Sequence, residues 1–232
     1  MQNMKKTINL NRLTKILVLI SLIMLSQSII LAQAKDPDPA RFSDAIEDFM
    51  GRDAKNSYLE NQNLFLGSSS IRMWKTALAF PDAYVINRGF GGSHISDVNH
   101  YYKQIVRRYK PAHIFFYAGD NDIAAGKSPD LVLEDYKIFI AKVEKDLPKT
   151  NVYYLPIKPS LSRWSMWPEM KQANAKIRKF TETKDNLFYL DTATPMLNAE
   201  DRPKPQIFLD DGLHMNEEGY KIWNKIISPY LK

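Results

Sequence analysis

The sequence predicts an α/β fold with a central parallel sheet of about five strands and helices on both of its faces. Short, continuously apolar segments alternate with longer amphipathic ones, which is typical of buried parallel strands and the helices that cover them. Polar clusters follow the first three predicted strands, at residues 67–70, 87–93 and 119–122. Because the loops at the carboxyl ends of parallel strands form the active sites of such folds, we expect these clusters to meet at one edge of the sheet.

The predicted elements follow one another without an internal repeat or a second domain. Apolar runs predict strands at 63–66, 84–86, 114–117, 152–155 and 187–190. Apolar residues at helical spacing predict helices at 40–50, 71–80, 95–109, 129–147 and 168–183, and a last helix through 222–227. Residues 192–209 are expected to be mostly irregular.

Residues 1–34 are predicted to be a signal peptide. Four basic residues and no acidic residue accompany a strongly apolar stretch at 16–31, and Ala32-Gln33-Ala34 has the small-x-small pattern of a signal-peptidase site. The alternative is a retained membrane anchor, for which this apolar run is short. We therefore expect cleavage near Ala34, one domain at residues 35–232, and a periplasmic or secreted bacterial protein that does not stay inserted in a membrane.

The charge and cysteine content exclude several classes of protein. The whole chain carries a formal charge of +6, but removal of residues 1–34 takes away four basic residues and lowers the charge to +2. The basic character therefore belongs mainly to the signal and does not indicate nucleic-acid binding. The chain has no cysteine, which excludes both a disulfide and a lipoprotein attachment site.

The segment Gly67-Ser68-Ser69-Ser70 joins the first predicted strand to a helix. At a helix N-terminus, free backbone N–H groups and the helix dipole favour developing negative charge. A serine at this place can act as a nucleophile, with its own N–H helping to hold an oxyanion. The alternative is an ordinary Gly/Ser turn with a serine N-cap.

The four histidines offer one good candidate for a general base. His94 and His100 lie in or beside a predicted helix, and His113 begins a buried strand, where a structural role is favoured. His214 lies in a polar loop three residues after Asp211. One loop can present both side chains, with the carboxylate orienting the imidazole, as acyl transfer by a serine requires.

Four segments together resemble the conserved blocks of the SGNH, or GDSL-type, esterase/lipase (acylhydrolase) family. Residues 65–71 (Phe-Leu-Gly-Ser-Ser-Ser-Ile) resemble the nucleophile block, and 87–92 (Asn-Arg-Gly-Phe-Gly-Gly) resemble the glycine block. Residues 119–122 (Gly-Asp-Asn-Asp) and 211–214 (Asp-Gly-Leu-His) resemble the Gly-x-Asn-Asp and Asp-x-x-His blocks. The four blocks occur in the family's order, and the resemblance spans roughly residues 62–230.

This resemblance implies a role for each matching residue. Ser69 corresponds to the nucleophile, His214 to the base and Asp211 to its orienting partner. The backbone N–H groups of Ser69 and Gly92 and the side-chain amide of Asn121 correspond to the oxyanion hole. The resemblance also implies a flavodoxin-like, three-layer α/β/α sandwich and a reaction that uses no metal and no organic cofactor.

The chain departs from the family pattern at the nucleophile block. Ser68 stands where the family usually has aspartate, and the run of three serines leaves Ser70 as an alternative nucleophile. Asp210 is a similar alternative to Asp211, although the Asp-x-x-His spacing selects Asp211. The aspartate that is missing at position 68 is not part of the proton relay, so its loss need not abolish activity.

Other polar residues keep two interpretations at this point. The glycines at 89, 91 and 92 could form a plain turn, and Asn121 could belong to an Asx turn. Asp120 and Asp122 could hold a divalent metal, although further ligands are not evident nearby. Three residues beside the predicted site also keep two interpretations. Trp164 and Trp167 either line a substrate cleft or cover the sheet, and Arg72 either binds an anionic group or is a solvated helix position.

The predicted function is a secreted serine ester hydrolase that acts through an acyl-enzyme on short-acyl esters, for example O-acetylated carbohydrate. Short polar site loops and the absence of a long apolar lid favour small acyl groups. Lysophospholipase or lipase-type activity is the alternative within the same chemistry. The alternatives from other classes are a catalytically inactive binding protein of the same fold and a flavin-binding module, of which the latter would be yellow when purified.

Overall fold

The computed structural model describes residues 36–231, so the predicted signal peptide at 1–34 lies outside the described residues. Five parallel strands form one sheet in the order β2-β1-β3-β4-β5. Their bounds are β1 Asn63–Gly67, β2 Val85–Gly89, β3 His113–Tyr117, β4 Asn151–Tyr154 and β5 Leu187–Tyr189. The parallel sheet with helices on both faces confirms the predicted α/β class.

Nine helices accompany the strands within residues 36–231. The longer ones are α1 Ser43–Asp53, α7 Pro129–Asp146, α8 Trp167–Thr181 and α9 Glu217–Ile227. The shorter ones are α2 Ser69–Arg72, α3 Thr76–Ala79, α4 Ile95–His100, α5 Tyr102–Ile105 and α6 Asp120–Ala124. None of the helices described is long and apolar enough to cross a membrane.

The side chains of each strand alternate between two separate hydrophobic cores. On β1, Leu64 and Leu66 point into a core shared with α1, α4, α5, α7 and α8, whereas Phe65 points into a core shared with α3 and α9. In the second core, four rings from neighbouring strands stack with centroid distances of 4.8–4.9 Å, namely Phe65, Phe115, Tyr153 and Phe188. The two buried faces explain why the interior strands are mainly apolar, whereas the edge strand β2 ends in Asn87, Arg88 and Gly89.

Gly67 ends β1 at a point where only glycine fits. Its φ is +134°, and a Cβ at this position would lie 1.7 Å from the carbonyl oxygen of Tyr117 on β3. The next residue, Ser68, donates its backbone N–H to that same carbonyl at 3.0 Å. The close approach of the two strands therefore directs the chain sharply out of the sheet and into α2.

Two helices that periodicity predicted as continuous are broken. The segment 71–80 forms α2 and α3, because the side-chain amide of Asn87 donates to the carbonyls of Ile71 at 2.8 Å and Trp74 at 3.1 Å and so ends α2. The segment 95–109 forms α4, α5 and a 3₁₀ turn, although backbone hydrogen bonds continue across Tyr101. Residues 192–209 are mostly irregular, as predicted, with two short 3₁₀ turns at Thr194–Met196 and Pro205–Ile207 and an isolated bridge between Leu197 and Pro203.

Candidate active site

Of the three consecutive serines, only Ser69 faces a pocket. Ser68 and Ser70 are 0% and 1% exposed, whereas Ser69 is half-buried and lines a cavity of about 380 Å³ at the carboxyl edge of the sheet. Ser69 is the first residue of α2, so its backbone N–H has no acceptor within the helix. The structure therefore favours Ser69 over Ser70 as the accessible hydroxyl.

His214 lies between Ser69 and Asp211. Its Nε2 is 3.0 Å from Ser69 Oγ, and its Nδ1 is 2.5 Å from Asp211 Oδ2. Since an ionised carboxylate can only accept, Nδ1 carries the proton of the neutral ring, and Nε2 presents its lone pair to the serine hydroxyl. Asp211 makes this contact, and not its neighbour Asp210.

The Asp211 carboxylate is held by its own loop. Its Oδ1 accepts hydrogen bonds from the backbone N–H groups of Leu213 at 2.8 Å and His214 at 2.9 Å. Partial burial works to raise its pKa, but the hydrogen bond with the His214 ring and these two backbone donors outweigh it and lower the pKa of Asp211 to about 2. The carboxylate is therefore ionised throughout the neutral range.

Asn216 fixes the loop that carries His214. Its side-chain oxygen accepts from the N–H groups of Glu218 and Gly219, which caps α9, while its amide donates to the carbonyls of Gln206 and Phe208. The carbonyl of His214 also accepts from the N–H of Leu209 at 2.8 Å. The loop is thus tied at both ends, which holds the imidazole in place.

Gly92 and Asn121 lie on the other side of the cavity. Gly92 has a φ of +83° and lies in the exposed turn after β2, where a Cβ would contact nothing within 4 Å. Asn121 is the second residue of α6, and its Nδ2 donates to the carbonyl of Ser93 at 3.1 Å. Both residues line the cavity together with Ser69 and His214, so the structure brings together all five predicted site residues.

Arg163 is a member of the site that sequence reasoning did not identify. It follows β4 in the long segment before α8, lines the cavity, and donates from Nη2 to Asn121 Oδ1 at 3.0 Å. Its Nη1 lies 3.2 Å from Asp120 Oδ2. The only sequence signal was its place after the carboxyl end of a strand, which does not distinguish it from its neighbours.

The two aspartates beside Asn121 pair with cations. Asp120 lies 3.7 Å from the buried Lys158 as well as beside Arg163, and Asp122 lies 3.1 Å from Lys127. Burial lowers the pKa of Lys158, while Asp120 opposes that shift. Within residues 36–231 no group of three or more acidic or histidine side chains could hold a metal ion.

The remaining histidines lie away from the cavity. The Nδ1 of His113 is 2.8 Å from the carbonyl oxygen of Tyr230, at the opposite end of β3, and His100 is exposed. His94 is buried before α4, with Nδ1 3.9 Å from Asp122 Oδ1. Burial above all, and then the charges of Lys127 and Arg41, lower the pKa of His94 to about 4.

His94 is expected to make the fold sensitive to mild acid. Because its pKa is about 4 when folded and about 6.5 when unfolded, the unfolded chain binds more protons between these values. Protonation of the unfolded chain at His94 should therefore lower the free energy of unfolding as pH falls from 6.5 to 4, by on the order of 2 kcal/mol, while Asp122, whose pKa is raised by burial to about 7, acts in the opposite direction. Urea unfolding across this range should show a smaller fall in His94→Gln, whereas His100→Gln serves as the exposed control. An identical fall in His94→Gln and the wild type would contradict the prediction.

The two tryptophans of the β4–α8 segment cover the sheet. Trp167 is buried, Trp164 stacks on it with ring centroids 6.0 Å apart, and both contact the core on that face. The guanidinium of Arg202 lies 4.7 Å above the ring of Trp164. Neither tryptophan lines the cavity, whereas Arg72, although exposed, does.

Comparison with known proteins identifies the family. Residues 66–222, more than half of the chain, match the model of the GDSL-like Lipase/Acylhydrolase family. No curated protein sequence matches the chain.

Solved structures with the same fold are distant in sequence. A candidate platelet activating factor from Streptococcus pneumoniae is 18% identical, with a TM-score of 0.73 over 92% of this chain and 99% of that one. A GDSL-like lipase from Bacteroides thetaiotaomicron is 18% identical, with a TM-score of 0.70 over 80% and 96%. A variant of an acetyl-xylooligosaccharide esterase from Geobacillus is 15% identical, with a TM-score of 0.61 over 75% and 95%. Because the family model covers more than half of its length, the chain belongs to the GDSL-like lipase/acylhydrolase family and is a carboxylic ester hydrolase.

Proposed function

We propose that Ser69, His214 and Asp211 are the catalytic triad of a serine esterase. The observation that carries this proposal is the continuous contact from Ser69 Oγ to His214 Nε2 at 3.0 Å and from His214 Nδ1 to Asp211 Oδ2 at 2.5 Å. His214 acts as the general base toward Ser69, and Asp211 holds the ring in the required tautomer and stabilises the imidazolium that forms.

In the first half of the reaction, Ser69 Oγ attacks the ester carbonyl carbon while His214 Nε2 takes the hydroxyl proton. The carbonyl oxygen becomes an oxyanion, which accepts hydrogen bonds from the N–H groups of Ser69 and Gly92 and from Asn121 Nδ2. The tetrahedral intermediate collapses, and His214 gives its proton to the departing alcohol. An acyl group then remains on Ser69.

In the second half, His214 removes a proton from water, and the resulting hydroxide attacks the acyl carbon. The same donors hold the second oxyanion. Collapse of this intermediate returns the proton from His214 to Ser69 Oγ and releases the carboxylic acid. The enzyme is regenerated with no change in oxidation state.

Short-acyl esters, and among them O-acetylated carbohydrate, are the proposed substrates. The cavity at Ser69, of about 380 Å³, has a largely polar lining that includes Asn121 and two arginines, which suits a short acyl group next to a polar alcohol better than a long fatty acyl chain. One protein of the same fold is named as an esterase of acetylated xylooligosaccharides. If the segment 1–34 is removed as a signal, the enzyme meets this substrate outside the cytoplasm.

Lysophospholipid hydrolysis is the second candidate, and one feature favours it. A cavity of about 530 Å³ lies beside the His214 loop, with Met73, Leu78, Leu209 and Met215 among its lining residues. Such an apolar cavity could take a fatty acyl chain. The two candidates therefore differ in the acyl length that the enzyme prefers.

Hydrolysis of p-nitrophenyl acetate, butyrate and octanoate by residues 35–232 tests the proposal. We expect acetate to be preferred, with kcat/KM lower for octanoate by at least about tenfold, because an acyl chain that outgrows its pocket loses transition-state contacts. A preference for octanoate would favour the lysophospholipase instead. If the protein neither hydrolyses these esters nor reacts with a fluorophosphonate, it is a binding protein and not an enzyme. If it reacts with the fluorophosphonate but hydrolyses none of the esters, its serine is competent and its ester substrate is more specialised.

A further inference from the structure

A third cavity, of about 630 Å³, adjoins the one at Ser69. It lies between α1 on one side and α2 and α3 on the other, and we call it the α1–α3 groove. Its apolar walls include Phe42, Phe49, Met73 and Leu78. Arg72 and Gly91 line both the groove and the smaller cavity, so a substrate with its ester at Ser69 can extend directly into the groove.

Arg72 occupies the junction between the two cavities. It comes three residues after Ser69, one turn along α2, and therefore lies on the same side of that helix. Its guanidinium lies against the backbone of Gly91, where a Cβ would be 2.8 Å from Nε and 3.3 Å from Cζ. The absence of a side chain at position 91 leaves the space that the guanidinium occupies.

The charge of Arg72 is not neutralised. Within residues 36–231 neither Arg72 nor Lys75, which also lines the groove, forms an ion pair, and both are exposed. The other charged pair of the groove, Arg52 with Asp48, is neutral as a unit. The groove therefore presents two uncompensated positive charges above apolar and aromatic walls.

The two cavities differ in what they can hold. The smaller one holds the reacting ester at Ser69, and the larger groove that adjoins it is the place for the alcohol portion of the ester. We propose, on the basis of the serine esterase function above, that this alcohol portion carries a negatively charged group, which Arg72 binds at the junction. A planar guanidinium binds a carboxylate or a phosphate through two parallel hydrogen bonds. The carboxylate of an acidic sugar and a phosphate headgroup are the two sources of this chemistry.

The experiment compares three acetyl esters of similar shape: 4-acetoxybenzoate, 4-acetoxyphenyl phosphate and the neutral 4-acetoxybenzamide. Arg72→Gln should lower kcat/KM for the anionic esters about tenfold or more relative to the amide, as loss of one charge-assisted hydrogen bond implies. Arg72→Lys should retain part of this selectivity because it keeps the charge. Added salt should lower the ratio of kcat/KM for the anionic esters to that for the neutral amide in the wild type, because it screens the charge of Arg72.

A matched control removes one positive charge elsewhere. Arg107 is exposed and pairs with Asp146 at 3.5 Å. It precedes β3, at the amino ends of the strands and so on the opposite side of the sheet from Ser69. Arg107→Gln should keep the wild-type ratio of anionic to neutral turnover. An effect of Arg107→Gln equal to that of Arg72→Gln would mean that net charge alone is responsible, and it would overturn the site.

The outcomes separate this inference from the function on which it rests. If Arg72 favours only 4-acetoxybenzoate over the amide, the natural anion is a carboxylate. If it favours only 4-acetoxyphenyl phosphate, the natural anion is a phosphate. Turnover that depends on Ser69 but is equally selective in wild type and Arg72→Gln overturns the anion site alone. If the wild type hydrolyses none of the esters, the esterase proposal fails for them, and calorimetry tests the anion site by itself. Ser69→Ala should then bind 4-hydroxybenzoate more tightly than 4-hydroxybenzamide. Equal binding of the two would overturn the anion site.

Discussion

Replacement of Ser69 by alanine is expected to abolish ester hydrolysis, whereas Ser68→Ala and Ser70→Ala are expected to keep it. Of the three serines, Ser69 is the one whose Oγ contacts His214 Nε2, at 3.0 Å. Without that hydroxyl no acyl-enzyme can form, and loss of the nucleophile from a serine hydrolase triad costs on the order of 10⁶-fold in kcat. Ser68 and Ser70 are buried and do not line the cavity, so their hydroxyls cannot reach an ester carbonyl.

The three alanine variants form a matched set, because each removes one hydroxyl from the same turn. We would measure kcat on p-nitrophenyl acetate, labelling by a fluorophosphonate and the midpoint of thermal unfolding for each. Ser69→Ala should fold and remain unlabelled. Loss of labelling in Ser70→Ala, with turnover intact in Ser69→Ala, would move the nucleophile by one residue and contradict the proposed triad.

The serine at position 68 departs from the usual family aspartate without disturbing these contacts. The side chain of Ser68 is fully buried, and its hydroxyl has no hydrogen-bond partner within residues 36–231. It lies outside the lining of the cavity, while Ser69, His214 and Asp211 keep their mutual geometry. A serine at position 68 therefore leaves the proposed proton relay intact.

The fold was predictable because its elements are encoded locally. Four of the strands contain the apolar run that a parallel sheet buried on both faces requires, and α7, with a Ser128 cap and Pro129 in its first turn, was predicted to within one residue. The exception is β2, predicted at 84–86 and observed at Val85–Gly89, because its second half is polar. The break between α2 and α3 was not predictable in the same way. It depends on Asn87, which belongs to another strand and takes the carbonyls that a continuous helix would have used.

The site could be predicted only in part, for a similar reason. The nucleophile block and the Asp-x-x-His block pointed to Ser69 and to the Asp211–His214 pair, and the glycine and Gly-x-Asn-Asp blocks of the family resemblance pointed to Gly92 and Asn121. The role of Arg163 depends on how the chain returns after β4, which is set by a distant contact: Asn174 on α8 accepts from the N–H of Ile157 at 2.8 Å and donates to its carbonyl at 2.9 Å. No local pattern in the sequence encodes that contact.

Asn121→Ala is expected to leave a folded but slow esterase. One proton of Nδ2 is used by the carbonyl of Ser93 at 3.1 Å, and the other remains available to an oxyanion in the cavity. The hydrogen bond from Arg163 to Oδ1 at 3.0 Å fixes which end of the amide faces Ser93, because the NH₂ group could not accept it. Removal of one oxyanion donor typically lowers kcat 10²–10³-fold, about 2.7–4 kcal/mol, and we expect a loss of that size.

The distribution of this loss between kcat and KM tests the assignment. A donor that acts on the oxyanion stabilises the transition state more than the bound ester, so kcat should fall while KM changes little. Arg163→Gln should give a smaller fall in kcat, since it leaves the donor in place but loosens its orientation. A wild-type kcat in Asn121→Ala would mean that Asn121 is not an oxyanion donor. With a raised KM, Asn121 would bind the substrate; with an unchanged KM, it would support the loop of Ser93.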